Sequence, residues 1–265
     1  MFAFHKDTEI QYQQVYWVSR EYILPFIERW APELRWETLS VLDLGFGEGG
    51  LIKALAEKGA RVTGIELDPN RLQRASQHLQ PEINAGKVQL LLQDIYTYHP
   101  ESLFDLIVLK DVIEHIPNQE RLIPVLVKLM KPGGYLWFGF PPWQMPFGGH
   151  QQMIDRPKWL SLTPYFHLLP APIYEKLLTW AKVHPSTRTL LMEIKSTGIS
   201  TGTFEKLVRQ NHLHIVKRVF YLLNPIYRYK FGLTPIHLPE WTRYIPWWIR
   251  DFWTTGVYYL VQKRK

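Results

Sequence analysis

The sequence predicts an α/β fold: a Rossmann-like, doubly wound, mostly parallel seven-stranded sheet with helices on both faces and an antiparallel last strand. Two inserted aromatic-rich segments are expected beside it. Three observations predict this fold. Five short apolar runs alternate with helical patterns between residues 39 and 140, the pitch of βαβ units. A glycine-rich loop joins the first run to the helical pattern that follows it. After residue 140 the alternation stops, then resumes for one helix and two strands near the end.

In chain order, residues 9–30 read as a helix, because Val15, Val18, Tyr22 and Phe26 recur at helical spacing. Pro25 lacks an amide hydrogen and is expected to kink or end it. LSVLDLGF (39–46) reads as a strand, and GGLIKALAEKGA (49–60) as a helix closed by Gly59. ARVTGIEL (60–67) is the second strand, after which Asp68 can cap the helix NRLQRASQHLQ. KVQLLLQD (87–94) and FDLIVLKD (104–111) are the third and fourth strands. A helix over 119–131 stops at the breaker cluster Lys131-Pro132-Gly133-Gly134, and YLWFGF (135–140) is the fifth strand. Residues 141–185 are rich in Pro, aromatic and His residues and suggest an inserted subdomain. A helix at 202–211 leads into the strand 214–223, a second insertion spans 224–254, and the chain ends in the strand 256–265. The expected division is an N-terminal helical lid (1–38), a cofactor-binding core (39–140), an inserted cap (141–200) and a completion of the sheet (201–265) that carries the Trp-rich insertion.

The chain has 265 residues, enough for a full hydrophobic core, and 46% of them are hydrophobic, which excludes wholesale disorder. It has no cysteine, so disulfide scaffolds, thiolate zinc sites and cysteine nucleophiles are excluded. No run reaches the roughly 18 apolar residues of a membrane span. The opening MFAFHKDTEI lacks the basic-then-apolar order of a secretory signal, so a cytoplasmic protein is expected. The formal charge is +7, and it is unevenly spread. Residues 206–265 hold eleven Lys and Arg against only Glu240 and Asp251, a local net of +9, so the first 205 residues sum to −2.

Asp43-Leu44-Gly45-Phe46-Gly47-Glu48-Gly49-Gly50 lies between the first strand and its helix. Glycine lets a backbone turn tightly and approach a ligand with no Cβ in the way. Such a loop at a strand's carboxyl end sits at the crevice where doubly wound sheets bind nucleotides. Gly45, Gly47 and Gly50 also satisfy the dinucleotide spacing G-x-G-x-x-G. Glu66 ends the second strand, where a carboxylate can accept from both ribose hydroxyls. These residues support an adenosine cofactor, either NAD or S-adenosyl-L-methionine. Asp43, two residues before the first glycine, can orient the loop and a ligand ammonium. Asp94 ends the third strand, where it can accept from an adenine amino group.

Together with Lys110-Asp111-Val112-Ile113-Glu114-His115 after the fourth strand and the Lys131-Pro132-Gly133-Gly134 turn before the fifth, this set resembles the class I S-adenosylmethionine-dependent methyltransferases. The D-V-I-E-H string resembles the small-molecule branch that includes the ubiquinone and menaquinone methyltransferases. The resemblance covers residues 39–140 and the last strands, not the insertions, where substrate choice is expected to live. It implies that Gly45, Gly47 and Gly49 hold the methionine part and that Phe46 also binds the cofactor. It implies Glu66 on the ribose, Leu67 packed on the adenine, and Asp94 and Ile95 flanking it. The Lys110 backbone would face the cofactor. The family places a small or hydrophobic residue at that position, and a cation beside a sulfonium is unfavourable, so the Lys110 side chain is expected to point elsewhere.

Methyl transfer from a sulfonium needs an aligned acceptor and exclusion of water. An oxygen acceptor also benefits from a base, often His. His150, in the loop after the fifth strand, is the first candidate base, with a backbone-bonded loop His as the plainer reading. Gln151, Tyr165 and His167 share that insertion. His115 is the second candidate. Spacings of i, i+3 and i+4 would place it with Asp111 and Glu114 on one helix face, either as a divalent cation site or as a capped helix start; no metal is expected. Tyr16 and Arg20 could cover the methionine carboxylate, or be solvent-facing.

Trp241, Trp247, Trp248 and Trp253, with Arg243 and Arg250, admit a pocket roof, a peripheral membrane contact through 241–253, or a second small core. Nucleic acid is disfavoured as a partner, since no N/D-P-P-Y/F motif follows the fourth strand. The expected activity is methyl transfer to a small or lipid-like molecule, most simply at oxygen. An NAD-dependent oxidoreductase and a non-catalytic cofactor-binding member are the alternatives.

Overall fold

The structure, a computed structural model, describes residues 7–264. The first six residues of the expected lid and the last residue of the expected final strand lie outside the described residues. The strands are β1 (Ser40–Leu44), β2 (Arg61–Glu66), β3 (Val88–Leu92), β4 (Phe104–Lys110), β5 (Met130–Phe140), β6 (Leu213–Leu223), β7 (Ile236–His237) and β8 (Gly256–Lys263). They form one sheet in the order β3-β2-β1-β4-β5-β8-β6-β7. The first five are parallel, and β8 runs antiparallel between β5 and β6. The order reverses at β1, so β1 and β4 frame the crevice at their carboxyl ends.

The sheet has eight strands rather than the expected seven. The extra one is the two-residue β7, which comes from the 224–254 insertion and pairs antiparallel with the edge of β6. An open edge strand presents unpaired amides and carbonyls, and this short segment covers part of that edge. Alternating side chains divide the core between the two faces. Val41, Val62, Leu106 and Trp137 face one layer, and Leu42, Ile107, Leu136 and Phe138 face the other.

The first helix departs from expectation at Pro25. It runs Thr8–Val18, widens into a π turn over Ser19–Ile23 and continues as Leu24–Trp30. The Leu24 amide donates to the Ser19 carbonyl, five residues back. The wider turn relieves the clash a proline ring makes with the preceding turn, so the helix neither stops nor breaks. Asp7 caps its start by accepting from the amides of Glu9 and Ile10 at 3.0 and 3.2 Å. This helix lies directly on the glycine loop: a Cβ on Gly50 would stand 2.6 Å from the Tyr12 carbonyl oxygen.

Residues 141–200 build their own small core from Ile154, Leu160, Phe166, Tyr174, Leu178, Val183 and Leu191. The segment around Arg250 packs inward as well. Arg250 and Asp251 are buried, the Arg250 guanidinium lies 3.8 Å over the Phe220 ring, and Asp251 accepts from the Thr201 amide and hydroxyl at 2.8 and 2.6 Å. This part of the Trp-rich stretch packs on β6 and Thr201 rather than forming a second small core, since none of the hydrophobic clusters among the described residues is built from 241–253. Trp241, Trp248 and Trp253 form an exposed rim, and none of the four tryptophans lines the cavity at the glycine loop.

Candidate active site

Gly45, Gly47 and Gly49 have φ of +71°, +57° and +88°, the left-handed region that disfavours a side chain. Gly45 closes the turn by donating to the Ile65 carbonyl at 2.8 Å, tying the loop to β2. Gly49 stands at the N-cap of the helix Gly50–Glu57. A Cβ on Gly47 would meet nothing within 4 Å, so its α-carbon faces open space. The loop borders a cavity of about 200 Å³. Asp43, Gly45, Phe46, Gly47 and Lys110 all line it.

Asp43 is 1% exposed, and its Oδ2 has no hydrogen-bond partner. Burial first, then the nearby Glu66 charge, push its carboxyl up to about 8, with Lys110 acting in the opposite sense. A buried acceptor without a donor is costly unless a ligand satisfies it, and a ligand ammonium would do so. Glu66 is buried at the end of β2. One carboxylate oxygen accepts from the Gly47 amide at 3.0 Å and the other from the Leu67 amide at 2.8 Å. It therefore shapes the loop while presenting charge beside it. The unpartnered Asp43 oxygen and the open face of Gly47 fit an adenosyl cofactor with an amino acid end.

The other expected cofactor residues lie further out. Leu67 is 70% exposed just past β2, an uncovered apolar surface. Asp94 is exposed and accepts from the Tyr96 amide at 2.9 Å. Ile95 is buried in the core layer that Leu42, Ile107, Leu136 and Phe138 face, and does not line the cavity. Lys110 departs from expectation. It lines the cavity, and its ammonium pairs with the adjacent Asp111 carboxylate, which lines the cavity too. Partial burial works to raise Asp111, but the Lys110 ammonium, with Lys230 and His150 behind it, outweighs this and holds the carboxyl below its usual range. The pairing offsets the cation that a sulfonium would otherwise meet.

Asp111, Glu114 and His115 are not on one helix face. Asp111 has φ +53°, only a single 3-10 turn spans Ile113–His115, and the next helix starts at Gln119. The fold instead gathers Glu114, His115 and His150, whose ligating atoms lie within 4.8 Å of one another. The two imidazoles meet edge to face, with centroids 4.9 Å apart. Glu114 is buried, neither carboxylate oxygen has a hydrogen-bond partner, and burial with the Asp111 charge pushes it well above its usual range. Burial lowers His115, with Asp111 partly offsetting it. Such a trio can hold a proton or a divalent cation.

Several insertion candidates turn out to be structural. His167 is fully buried, bonds the Trp143 carbonyl at 2.8 Å and is lowered by burial to about 4. Gln151 is fully buried and donates to the Pro146 carbonyl at 2.8 Å. The Tyr165 hydroxyl donates to the Phe252 carbonyl at 3.0 Å, joining the two insertions. Arg20 donates to the Tyr16 hydroxyl, which donates to Glu57, so this pair braces the outside of the helix. The same helix contributes Gln11 and Val15 to the cavity instead. Arg71 also lines it, and Arg74 grips Glu48 through two hydrogen bonds of 2.7 and 2.8 Å, fixing the loop's far side. The sequence carries no local signal for Gln11, Val15 and Arg74, because each acts on a loop distant in the chain, whereas Arg71 sits beside its neighbours Glu66 and Asp68.

Residues 42–138 match the family model described as a methyltransferase domain. The chain is 28% identical over 162 residues to a ubiquinone biosynthesis O-methyltransferase of Pectobacterium carotovorum, covering 56% of this chain and 67% of that protein. It is 33% identical over 99 residues to the enzyme of the same description from Saccharophagus degradans, covering 37% of this chain and 42% of that one. Its span of these curated relatives thus runs from two thirds down to about two fifths of their length. The fold matches magnesium protoporphyrin IX methyltransferase from Synechocystis with bound S-adenosylhomocysteine, at a TM-score of 0.56 and 17% identity, covering 99% of this chain and 88% of that one. The NAD-dependent and non-catalytic alternatives find no support among these proteins. Residues 42–138 thus carry a methyltransferase domain, and the curated relatives and solved structures beside it support an S-adenosylmethionine-dependent methyltransferase of the small-molecule type.

Proposed function

We propose that this protein transfers the methyl group of S-adenosyl-L-methionine to an oxygen of a small, lipid-like acceptor. The observation that carries the cofactor half is the buried, unpartnered Asp43 oxygen beside the open face of Gly47. When bound, the cofactor supplies an electrophilic methyl on a sulfonium. Asp43 would pair with its ammonium, Glu66 would accept from its ribose, Asp94 would accept from its adenine amino group, and the exposed Leu67 would pack on the base, while the Ile95 side chain stays in the core. Gln11 and Val15, from the N-terminal lid, exclude water from the same space.

The acceptor half rests on the imidazole pair of His115 and His150, which adjoins Asp111 at the cavity wall. A ring nitrogen of His150 would take the hydroxyl proton as the oxygen bonds to the methyl carbon and the sulfur–methyl bond breaks to release S-adenosylhomocysteine, and the Asp111 carboxylate favours the resulting imidazolium. The names of the relatives support oxygen as the acceptor atom and a quinone-related, lipid-like molecule as the acceptor. The cap at 141–200 shapes the acceptor side. A cytoplasmic location and a peripheral membrane contact through 241–253 belong to the same reading. The contact is supported by Trp241, Trp248 and Trp253, each more than half exposed.

The test is incubation with methyl-labelled S-adenosylmethionine and matched apolar acceptors carrying a phenolic hydroxyl, an aliphatic hydroxyl or an amine. The proposal expects label in an ether of a hydroxyl acceptor. Label only in the amine series would reassign the acceptor atom.

A further inference from the structure

The cap holds a second cavity, of about 860 Å³, that shares no lining residue with the cavity at the glycine loop. It lies between the segment 153–158 and the turn joining the helices Ala171–Trp180 and Pro185–Thr197. Four cations line it, Arg156, Lys158, Lys182 and Arg188, against one carboxylate, Asp155. Arg188 is held in place: its Nη1 donates to the Thr179 hydroxyl at 2.7 Å, while its Nε is buried without a hydrogen-bond partner. Pro185 and Thr187, in the first turn of the thirteen-residue helix Pro185–Thr197, open onto the same space, where backbone amides favour an anion. Charge, an orphaned guanidinium N–H and a helix start all call for a phosphate-like group.

The surface beside this cavity is apolar. Trp159 follows Lys158, and Trp180 follows Thr179, so both tryptophans adjoin lining residues. They are 52% and 73% exposed, and their rings meet edge to face with centroids 6.4 Å apart. Leu162 and Ile173, also more than half exposed, belong to the same helical segments. A free phosphate would use the cations and leave these side chains unused. Tryptophans beside basic residues match the level of a bilayer where headgroup phosphates meet the acyl region.

We propose that this face of the cap docks on an anionic phospholipid surface, with a headgroup phosphate seated among Arg156, Lys158, Lys182 and Arg188. Trp159 and Trp180 enter the headgroup layer beside it. The site is distinct from the 241–253 stretch and does not depend on the identity of the methyl acceptor.

Co-sedimentation of the full chain with vesicles tests this. Phosphatidylcholine vesicles are compared with vesicles that also contain phosphatidylglycerol, with and without inorganic phosphate as competitor. The wild type should bind only the anionic vesicles, and phosphate should displace it. Lys158→Gln with Lys182→Gln should weaken vesicle binding about twenty-five-fold, from roughly a fivefold loss per neutralised cation. Trp159→Ala with Trp180→Ala should weaken vesicle binding but leave phosphate binding intact. Unchanged S-adenosylhomocysteine affinity shows that both variants remain folded. The proposal is overturned if the wild type does not distinguish the vesicles, or if phosphate binds but vesicles do not. It is also overturned if binding survives the lysine changes and is lost on replacing Arg243 and Trp248.

Discussion

Replacing Glu66 with alanine removes a carboxylate that is 7% exposed and already bound to the glycine loop. Its two oxygens accept from the Gly47 and Leu67 amides at 3.0 and 2.8 Å, so the charge is fixed in direction before any cofactor arrives. A hydrogen bond to a charged group is worth about 1.5–3 kcal/mol. At about 1.4 kcal/mol per factor of ten, losing one such bond to the ribose weakens binding by about 12-fold to about 150-fold. Isothermal titration with S-adenosylhomocysteine reads this directly. A Glu66→Gln variant keeps one acceptor oxygen and should fall between wild type and alanine. A melting curve for each variant separates a lost ligand contact from a loosened loop. If Glu66→Ala binds S-adenosylhomocysteine within about twofold of wild type, Glu66 does not hold the ribose.

Three further outcomes follow from the same geometry. His150→Ala should lower turnover by about 100-fold or more, the usual contribution of a general base, while leaving S-adenosylhomocysteine affinity unchanged; full activity would exclude His150 as the base. Chelator should leave turnover unchanged, whereas a loss restored by Mg²⁺ would make Glu114, His115 and His150 ligands rather than proton carriers. Stability should depend on His167 in acid. Its folded pKa, about 4, lies below the ordinary 6.5, so the fold prefers the neutral ring, and stability is lost as pH falls from 6.5 through 4. Melting temperatures across that window should fall steeply for wild type and more gently for His167→Gln; parallel curves would remove His167 as the acid-sensitive group.

The sheet was legible because its signals are local. Apolar runs marked all seven long strands, Asp68 caps its helix by accepting from the Asn70 amide at 2.8 Å, and Gly59 closes the preceding helix with φ +106°. The glycine loop was legible for the same reason, since strand, turn and helix are contiguous. What escaped depends on contacts between distant residues. The strand β7 is only two residues long, lies in a Pro-containing stretch and exists because β6 offers an edge. His115 and His150 are 35 positions apart and meet only when the loop after β5 folds over the end of β4. His167 carries the same chemistry as His150 in sequence, yet packs against Trp143 in the cap interior. Lys110 looked unwelcome at a sulfonium site because its partner, the next residue, could equally have turned away. The positive φ of Asp111 is a feature of that turn which composition does not reveal.

A crystal structure with S-adenosylhomocysteine bound measures the central claim most directly. The account predicts the ligand amino group within hydrogen-bond reach of Asp43 Oδ2, the ribose hydroxyls on Glu66, and the sulfur facing His150. A ligand seated elsewhere, or Asp43 still without a partner in the complex, would contradict it.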